Sequence, residues 1–360
     1  MDLKELLKST YRDKKVLVTG HTGFKGAWLC QVLKMAGAQI KGYALDPEHD
    51  NDLYNLLNIK SYADSVIGDI MDAKKFGEEI LNFQPDFIFH LAAQPLVRLS
   101  YEIPVETFAV NSIGTANLLN SVRALNKECK LILITTDKVY ENKEWVYPYR
   151  ENDRLGGYDP YSASKACAEI VINSFRQSFF NPNDYHLHKK SIASTRAGNV
   201  IGGGDWSKDR IIPDIVKALQ KDDPIKIRNP KAVRPWQHVL EPLTGYLLLG
   251  ARMVENPVKF ADSFNFGPFI EDTRTVHELV EIAISKWGKG TFEHLQLTNA
   301  VHEAGLLKLD INKAINELGW YPRLNAEKAI EFTMEWYRHF EANPVEFTES
   351  QINSYFNWKN

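Results

Sequence analysis

The chain has little cysteine, little net charge and no long apolar run. Its three cysteines (Cys30, Cys129, Cys167) are scattered, odd in number and without a C-x-x-C pair. That pattern excludes a disulfide or zinc framework and reads as three buried apolar residues in a reducing cytosol. A net charge of −3 over 360 residues offers no electrostatic case for nucleic acid or for an anionic membrane. Any anionic ligand must therefore be held by local arginines and backbone N–H groups. The longest apolar runs, such as "LILI" and "YLLLGA", are far too short to span a bilayer. The opening "MDLKELLKSTYRDKK" carries acids and no apolar core of signal-peptide length, so the cytoplasm is the expected compartment. No grouping of His, Cys, Asp and Glu has metal-ligand spacing, so no metal is expected. Internal repeats and low-complexity tracts are also absent.

What the chain does have is a rhythm. Short β-branched runs alternate with amphipathic stretches: "KKVLVTG" (14–20), "AQIKGYAL" (38–45), "SVIGDI" (65–70), "PDFIFHLAA" (85–93), "KLILITT" (130–136) and "KSIASTRAGNV" (190–200) read as strands. Helical patterns fall at 25–37, closed by Gly37, and at about 72–83, 104–126 and 160–180. Such alternation predicts an α/β fold with a doubly wound, mostly parallel sheet covered on both faces. Beyond about residue 200 the rhythm breaks into clusters of Gly, Pro, Asp and Arg, "NVIGGGDWSKDRIIPD" and "IRNPKAVRPWQHVLEP". Residues 1–200 are expected to form the nucleotide-binding (Rossmann) domain. Residues 201–360 are expected to form a smaller substrate-binding lobe with segments that cross back, ending in an amphipathic helix at 326–343.

"VTGHTGFKG" places Gly20, Gly23 and Gly26 directly after a strand and at the start of a helix. A tight turn needs the first glycine, close approach of backbone to a pyrophosphate the second, and helix-on-sheet packing the third. The free N–H groups of the helix start then face the phosphates. An ordinary glycine turn is the competing reading, and the preceding strand with its β-α-β unit argues against it. Thr22, Phe24 and Lys25 complete this cofactor loop. The acid expected at the end of the second strand is missing: Ala44 stands there, with Asp46 two residues later. No arginine follows to receive a 2′-phosphate, so NAD is expected in preference to NADP. Asp69 is placed at the adenine amine and Ile70 against the ring, and Leu91, Ala92 and Ala93 of "HLAAQ" are expected to line the cofactor. His90, inside an apolar strand, reads as a satisfied core histidine.

"DPYSASKACAE" holds Tyr161 and Lys165, four apart and so on one side of a helix. An ammonium beside a phenol favours the phenolate and is expected to lower its pKa, while the same ammonium can hold ribose hydroxyls. Alone the pair is weak; downstream of a nucleotide-binding unit it becomes specific.

With these residues in place, the segments "VTGHTGFKG", "HLAAQPLVRLSY", "TTDKVYEN", "DPYSASK", "RAGNVIGGGDW" and "RPWQHVLEPL" resemble the extended short-chain dehydrogenases/reductases, the class of nucleotide-sugar epimerases and dehydratases. The resemblance covers about residues 14–250. It implies NAD as an internal hydride carrier and a nucleotide-sugar substrate. In the dehydratases of this class a hexose is oxidised at C4, water is lost across C5 and C6, and the hydride returns to C6. Most carry Thr-Asp-Glu at the strand end; here Thr136, Asp137 and Lys138 stand, and the lysine resembles the branch acting on CDP-D-glucose for deoxysugar and O-antigen (lipopolysaccharide) synthesis. The resemblance implies Tyr161 as base for the oxidation, Thr136 on the 4-hydroxyl and Asp137 as acid to the departing C6 hydroxyl. Lys138 would assist C5 deprotonation, as base or as stabiliser of the enolate.

For the diphosphate, Arg supplies two parallel donors, and Arg210 and Arg234 are the candidates. Asn199 resembles a diphosphate ligand, and Arg98 and Ser100 face the sugar by analogy. Gln237, His238 and Trp206 are possible readers of the base, with a core role for each left open. The class pairs the helices at 104–126 and 160–180 across a dimer interface, so a homodimer or a dimer of dimers is expected. The competing functions are a dehydratase for another nucleotide's sugar, a 4-epimerase, and a catalytically silent NAD-binding sensor.

Overall fold

Alternate residues of the strand Cys129–Ile134 (β5) go to different cores. Cys129, Leu131 and Leu133 pack on one side of the sheet, and Ile132 and Ile134 on the other. The two neighbouring inner strands divide in the same way. Val16 and Val18 oppose Leu17 on Lys15–Thr19 (β1), and Phe87 and Phe89 oppose Ile88 on Phe87–His90 (β4). This is the two-residue period of a strand buried on both faces, each such side chain contributing about 1.5–3 kcal/mol on burial. The structure is a computed structural model and describes residues 2–208, 210–295 and 306–358.

With Gln39–Ala44 (β2), Asp64–Ile67 (β3) and Lys190–Ala197 (β6), these strands build a seven-stranded parallel sheet. The seventh member, Ser263–Phe266, returns from the C-terminal half and lies beside β6, giving the order Ser263–Phe266, β6, β5, β4, β1, β2, β3. Chain direction of winding reverses between β1 and β4, and a crevice opens there at the carboxyl ends of the strands, where ligands bind in folds of this kind. Thr19 and His90 face each other across it in register.

Local sequence sets the helix ends. Phe24–Ala36 stops at Gly37, whose φ of 82° lets its N–H reach back to Leu33 and Lys34 carbonyls. Pro160–Ser178 starts with Pro160 in its first turn and with the Asp159 carboxylate accepting from Ser162 N at 2.9 Å. The expected helix at 104–126 is divided: Pro104–Phe108, a wide π-turn at Ala109–Ile113, and Gly114–Val122. Asn111 lies in the wide turn, its amide holding Gln94 on one side and Ser164 of the Tyr161 helix on the other. The helix expected at 326–343 is shorter, and a further helix that the sequence did not announce follows it. Ala326–His339 ends, and Pro344–Asn357 begins afresh with the Asn343 side chain capping Glu346 N.

Past residue 200 three small two-stranded pairs stand among the described residues, outside the large sheet: Val200–Ile201 with Gln237–His238, Val233–Arg234 with Arg274–Thr275, and Ile225–Ile227 with Phe292–His294. Cys30 and Cys129 are buried as expected, whereas Cys167 is only half-buried, because its position on the helix lies off the sheet-facing stripe. No described helix is long and apolar enough to cross a membrane.

Candidate active site

The glycine loop is built by direct backbone contact. Gly20 has φ of 73°, and a side chain there would meet Ala92 N at 2.8 Å, so β1 and the loop after β4 can close only on a glycine. A carbon on Gly26 would sit 2.1 Å from the Gly20 carbonyl, which explains its need at the helix start. Gly23 is different: a carbon added there would meet only the Gly20 carbonyl oxygen, at 3.5 Å, leaving an open cradle before the helix N-terminus. Thr19 Oγ1 holds His90 Nδ1 at 2.8 Å and accepts from Ala92 N at 3.1 Å, while His90 Nε2 meets Thr115 Oγ1 at 3.3 Å. Burial, with Lys165 nearby, pushes the His90 pKa down to about 3, so the ring is neutral at pH 7.

Around this cradle stand the other loop residues. Thr22 Oγ1 donates to the Leu45 carbonyl at 2.9 Å, just past Ala44. Ala44 itself is buried and Asp46 is exposed. Asp69 is exposed after β3, its carboxylate accepting from Met71 N. Ile70 is buried, its side chain packed against Gly114 in the core on one side of the sheet. His21, which the sequence reading passed over, is buried against Gly42 and Tyr54, bonded through Nε2 to Ser65 Oγ at 2.7 Å. The missing side chain of Gly42 makes its room. Leu91, Ala92 and Ala93 are half-buried at the edge of the crevice.

Beyond β5 the chain turns sharply at Asp137–Val139, with Thr136 at its head. Thr136 Oγ1 donates to Asp137 Oδ1 at 2.9 Å and accepts from Lys138 N at 3.4 Å. Asp137 is buried, and the Tyr161 phenol reaches Thr136 as a hydrogen-bond partner. The helix Pro160–Ser178 brings Tyr161 and Lys165 to the same place, Lys165 Nζ donating to the Ile134 carbonyl at 3.2 Å. Ser100, expected to face the sugar, instead uses its oxygen within the protein. It accepts from Tyr161 N at 3.1 Å and donates to the Val97 carbonyl at 2.6 Å, fully buried. It anchors the start of the Tyr161 helix.

Three further cations and the Asp137 carboxylate gather around Lys25. Lys25 is pushed down to about 7, first by burial and then by Arg210, with Lys165 and Lys138 adding to the repulsion and Asp137 opposing it. Lys165 is lowered by burial to about 8, against the pull of Glu169. Arg210 is held firmly charged by Asp205, 3.0 Å away. Tyr161 contradicts the simple expectation of a lowered phenol. Burial lifts it to about 12, and the Thr136 hydrogen bond and Arg210 recover only part of that. A crowded, partly unneutralised set of cations beside an open glycine cradle fits a bound pyrophosphate.

The remaining candidates separate. Asn199 has φ of 51° next to Gly198, which touches Asp137. Gln237 is brought in: its Nε2 donates to the Gly198 and Phe266 carbonyls, and its buried Oε1 lacks a partner among the described residues. A narrow cavity is walled by Asp137, Gly198, Pro235, Gln237, Phe269 and Lys308. Lys308 was not anticipated, and only the alternation of buried Leu307 and Leu309 around it hints at its direction. Arg98 is half-buried on the helix Val97–Glu102, and Arg234 is half-buried on Val233–Arg234. His238 is a correction. It is fully buried edge-on to Trp28 and Phe332, a packing position closed to any ligand, and burial lowers its pKa to about 3. Trp206 likewise packs on Tyr337 and Phe340.

Sheet order, glycine cradle and the Tyr161–Lys165 helix together define the extended short-chain dehydrogenase/reductase class. Within it, the chain belongs to the GDP-mannose 4,6 dehydratase family, whose model matches residues 17–333. It is 48% identical to a CDP-glucose 4,6-dehydratase of Salmonella typhimurium (strain LT2) over 331 residues, 92% of either chain. It is 25% identical to a UDP-glucose 4-epimerase of Mycoplasma pneumoniae, over 91% of this chain and 97% of that one. A dTDP-glucose 4,6-dehydratase of Streptomyces venezuelae, solved with NAD bound, superposes with a TM-score of 0.76 at 23% identity, covering 90% of this chain and 97% of that one.

Proposed function

We propose that this protein is an NAD-dependent hydro-lyase that converts CDP-D-glucose to CDP-4-dehydro-6-deoxy-D-glucose and water. The observation that carries the reading is the strand end Thr136-Asp137-Lys138. It sits beside Tyr161 and Lys165, with Asp137 on the wall of a cavity, in a chain sharing 48% identity with a CDP-glucose dehydratase. An epimerase needs no acid for a leaving hydroxyl and no assistance to C5 deprotonation.

NAD would be held by the Gly20–Gly26 loop, Lys25, Asp69, the 91–93 loop and Lys165, and when bound supplies reversible hydride transfer at C4 and C6. Tyr161 takes the proton of the C4 hydroxyl, which Thr136 orients. A phenol raised to about 12 needs added positive charge to act near neutral pH, and the surrounding lysines and Arg210 supply it. The C4 ketone acidifies C5–H. Lys138 assists its removal, as base or as stabiliser of the enolate. Asp137 gives a proton to the C6 hydroxyl, which leaves as water. With hydride returned to C6, a proton is restored to C5 and the proton taken by Tyr161 replaces the one Asp137 gave, so atoms balance with no net redox change.

In this reading residues 1–200 carry the cofactor. Residues 201–360, apart from the returning strand, grip the nucleotide sugar, with Asn199, Arg210 and Arg234 on the diphosphate, Arg98 toward the sugar and Gln237 on the cavity wall. The protein works in the cytoplasm as a homodimer or dimer of dimers. Exposed Val105, Phe108, Ile113, Ile170 and Phe179 on the two long helical stretches support pairing.

Incubation with CDP-glucose, followed by absorbance of the ketosugar in alkali and product analysis, tests the reading. A 4-keto-6-deoxysugar without net NADH is expected. A C4 epimer, or turnover confined to another nucleotide's sugar, would sink it.

A further inference from the structure

Behind the reactive strand end lies a buried ion pair that the proposed chemistry leaves unused. Glu169, on the helix Pro160–Ser178, is 2% exposed, and Arg196, on β6, is 3% exposed. Arg196 Nε and Nη2 lie 3.1 and 2.9 Å from the two Glu169 oxygens. The same carboxylate accepts from Thr135 Oγ1 at 2.6 Å and Ser194 Oγ at 2.8 Å. The outer nitrogen of the guanidinium, Nη1, donates to Tyr140 OH at 2.8 Å and to the Glu151 carbonyl at 2.9 Å.

One pair thus joins the residue before Thr136, the strand beside it, the chain just after Lys138, and the helix bearing Tyr161 and Lys165. Desolvation makes a buried ion pair a poor stabiliser, and an apolar pair of similar volume would hold these layers as well. A carboxylate filled by four directed donors does something an apolar pair cannot: it fixes orientation. Lys165 lies one helical turn before Glu169, and its Nζ bonds to Ile134, next in chain to Thr135. The other charged or titratable groups near Lys165 are Lys25 from the glycine loop, His90 from β4 and the Tyr161 phenol on its own helix. None of these carries a negative charge, whereas Glu169 does and favours the ammonium.

We infer that Glu169 is a positioning residue: its carboxylate sets Tyr161 and Lys165 in register against Thr136 and Asp137 and is the anionic partner of the Lys165 ammonium. The inference rests on the dehydratase reading above.

The test is the paired variant Glu169→Leu/Arg196→Leu, which removes both charges and leaves no buried charge alone. It is expected to fold with a thermal midpoint close to wild type. Its kcat on CDP-glucose should fall about 10- to 100-fold, with KM little changed. The titration of Lys165, followed by NMR of 15N-lysine protein, should move below the wild-type value. A folded variant with wild-type kcat and an unmoved Lys165 titration would overturn the inference. Should the pair fail to fold, Glu169→Gln decides. An alkaline limb of kcat displaced to lower pH supports the role, and an unmoved limb refutes it. A wild-type protein inert toward CDP-glucose removes the dehydratase reading instead, and the Lys165 titration still tests Glu169.

Discussion

Gly198 and Asp137 are in contact so close that one added carbon would displace a carboxylate: a Cβ at 198 would stand 2.0 Å from Asp137 Oδ2. The backbone of the β6 end is the floor on which Asp137 rests. Gly198→Ala should therefore push the carboxylate off its Thr136 bond. A stability loss of about 1–3 kcal/mol is expected, with a far larger effect on rate, about 100-fold in kcat. Thermal melting and steady-state kinetics on the same preparation would check the split.

Asp137 is buried with its Oδ1 accepting from Thr136. Asp137→Asn keeps the shape and removes the transferable proton. Dehydration should slow by about 10²- to 10⁴-fold, with C4 oxidation retained. With substrate deuterated at C4, deuterium should remain trapped as reduced cofactor. Near wild-type dehydration would exclude Asp137 as the acid.

For Lys138→Met the informative measurement is exchange of the C5 proton with solvent. Loss of exchange assigns Lys138 as the base, and exchange that persists while elimination slows assigns it an electrostatic role.

Lys25 and Lys165, lowered to about 7 and about 8, are partly unprotonated in the folded protein at pH 8 and fully protonated when unfolded. The unfolded chain then holds more protons, so these two groups make stability rise with pH from about 7 toward 10. A bound pyrophosphate reverses the local balance by favouring the ammonium. Binding of NAD at pH 8 should take up protons, read as a dependence of calorimetric heat on buffer ionisation enthalpy.

Glu241 gives the opposite sign. Its buried carboxyl, raised by burial to about 7, accepts from Arg323 N, Leu324 N and Tyr355 OH, stapling the helix Leu240–Glu255 to the C-terminal helices. The folded state holds the proton that the unfolded state releases near 4.5, so stability falls as pH rises from about 4.5 to about 7. Glu241→Gln should flatten that slope in calorimetric melting. Glu241→Ala should destabilise at every pH, by about 1–3 kcal/mol for each donor left unpaired.

Much of this was legible in the residues. The strand rhythm gave the first six members of the sheet, because the inner strands, covered on both faces, are apolar along their length and the edge strand β3 follows in the same alternation. The seventh, Ser263–Phe266, carries no such signal in its broken surroundings and joins the sheet only through a long return. Glycine spacing announced the cradle, and Tyr161 and Lys165 were paired by helical geometry. Ile70 and His238 are buried among packing neighbours, and polarity and position in a motif do not reveal which neighbours close over a side chain. Lys308 left only the alternation around it and the Glu169–Arg196 pair no pattern at all, because the groups they meet come from other segments of the chain.

The sequence alone determined what depends on near neighbours: turns that demand glycine, caps that stop helices, faces that alternate, and the side chains competent for oxidation and elimination. Tertiary structure decided what depends on contact and dielectric. It placed Asp137 on Gly198, sealed His238 between Trp28 and Phe332, and raised Tyr161 where a neighbouring lysine alone would have lowered it. Desolvation is set by everything packed around a group, and most of what surrounds these groups comes from distant parts of the chain.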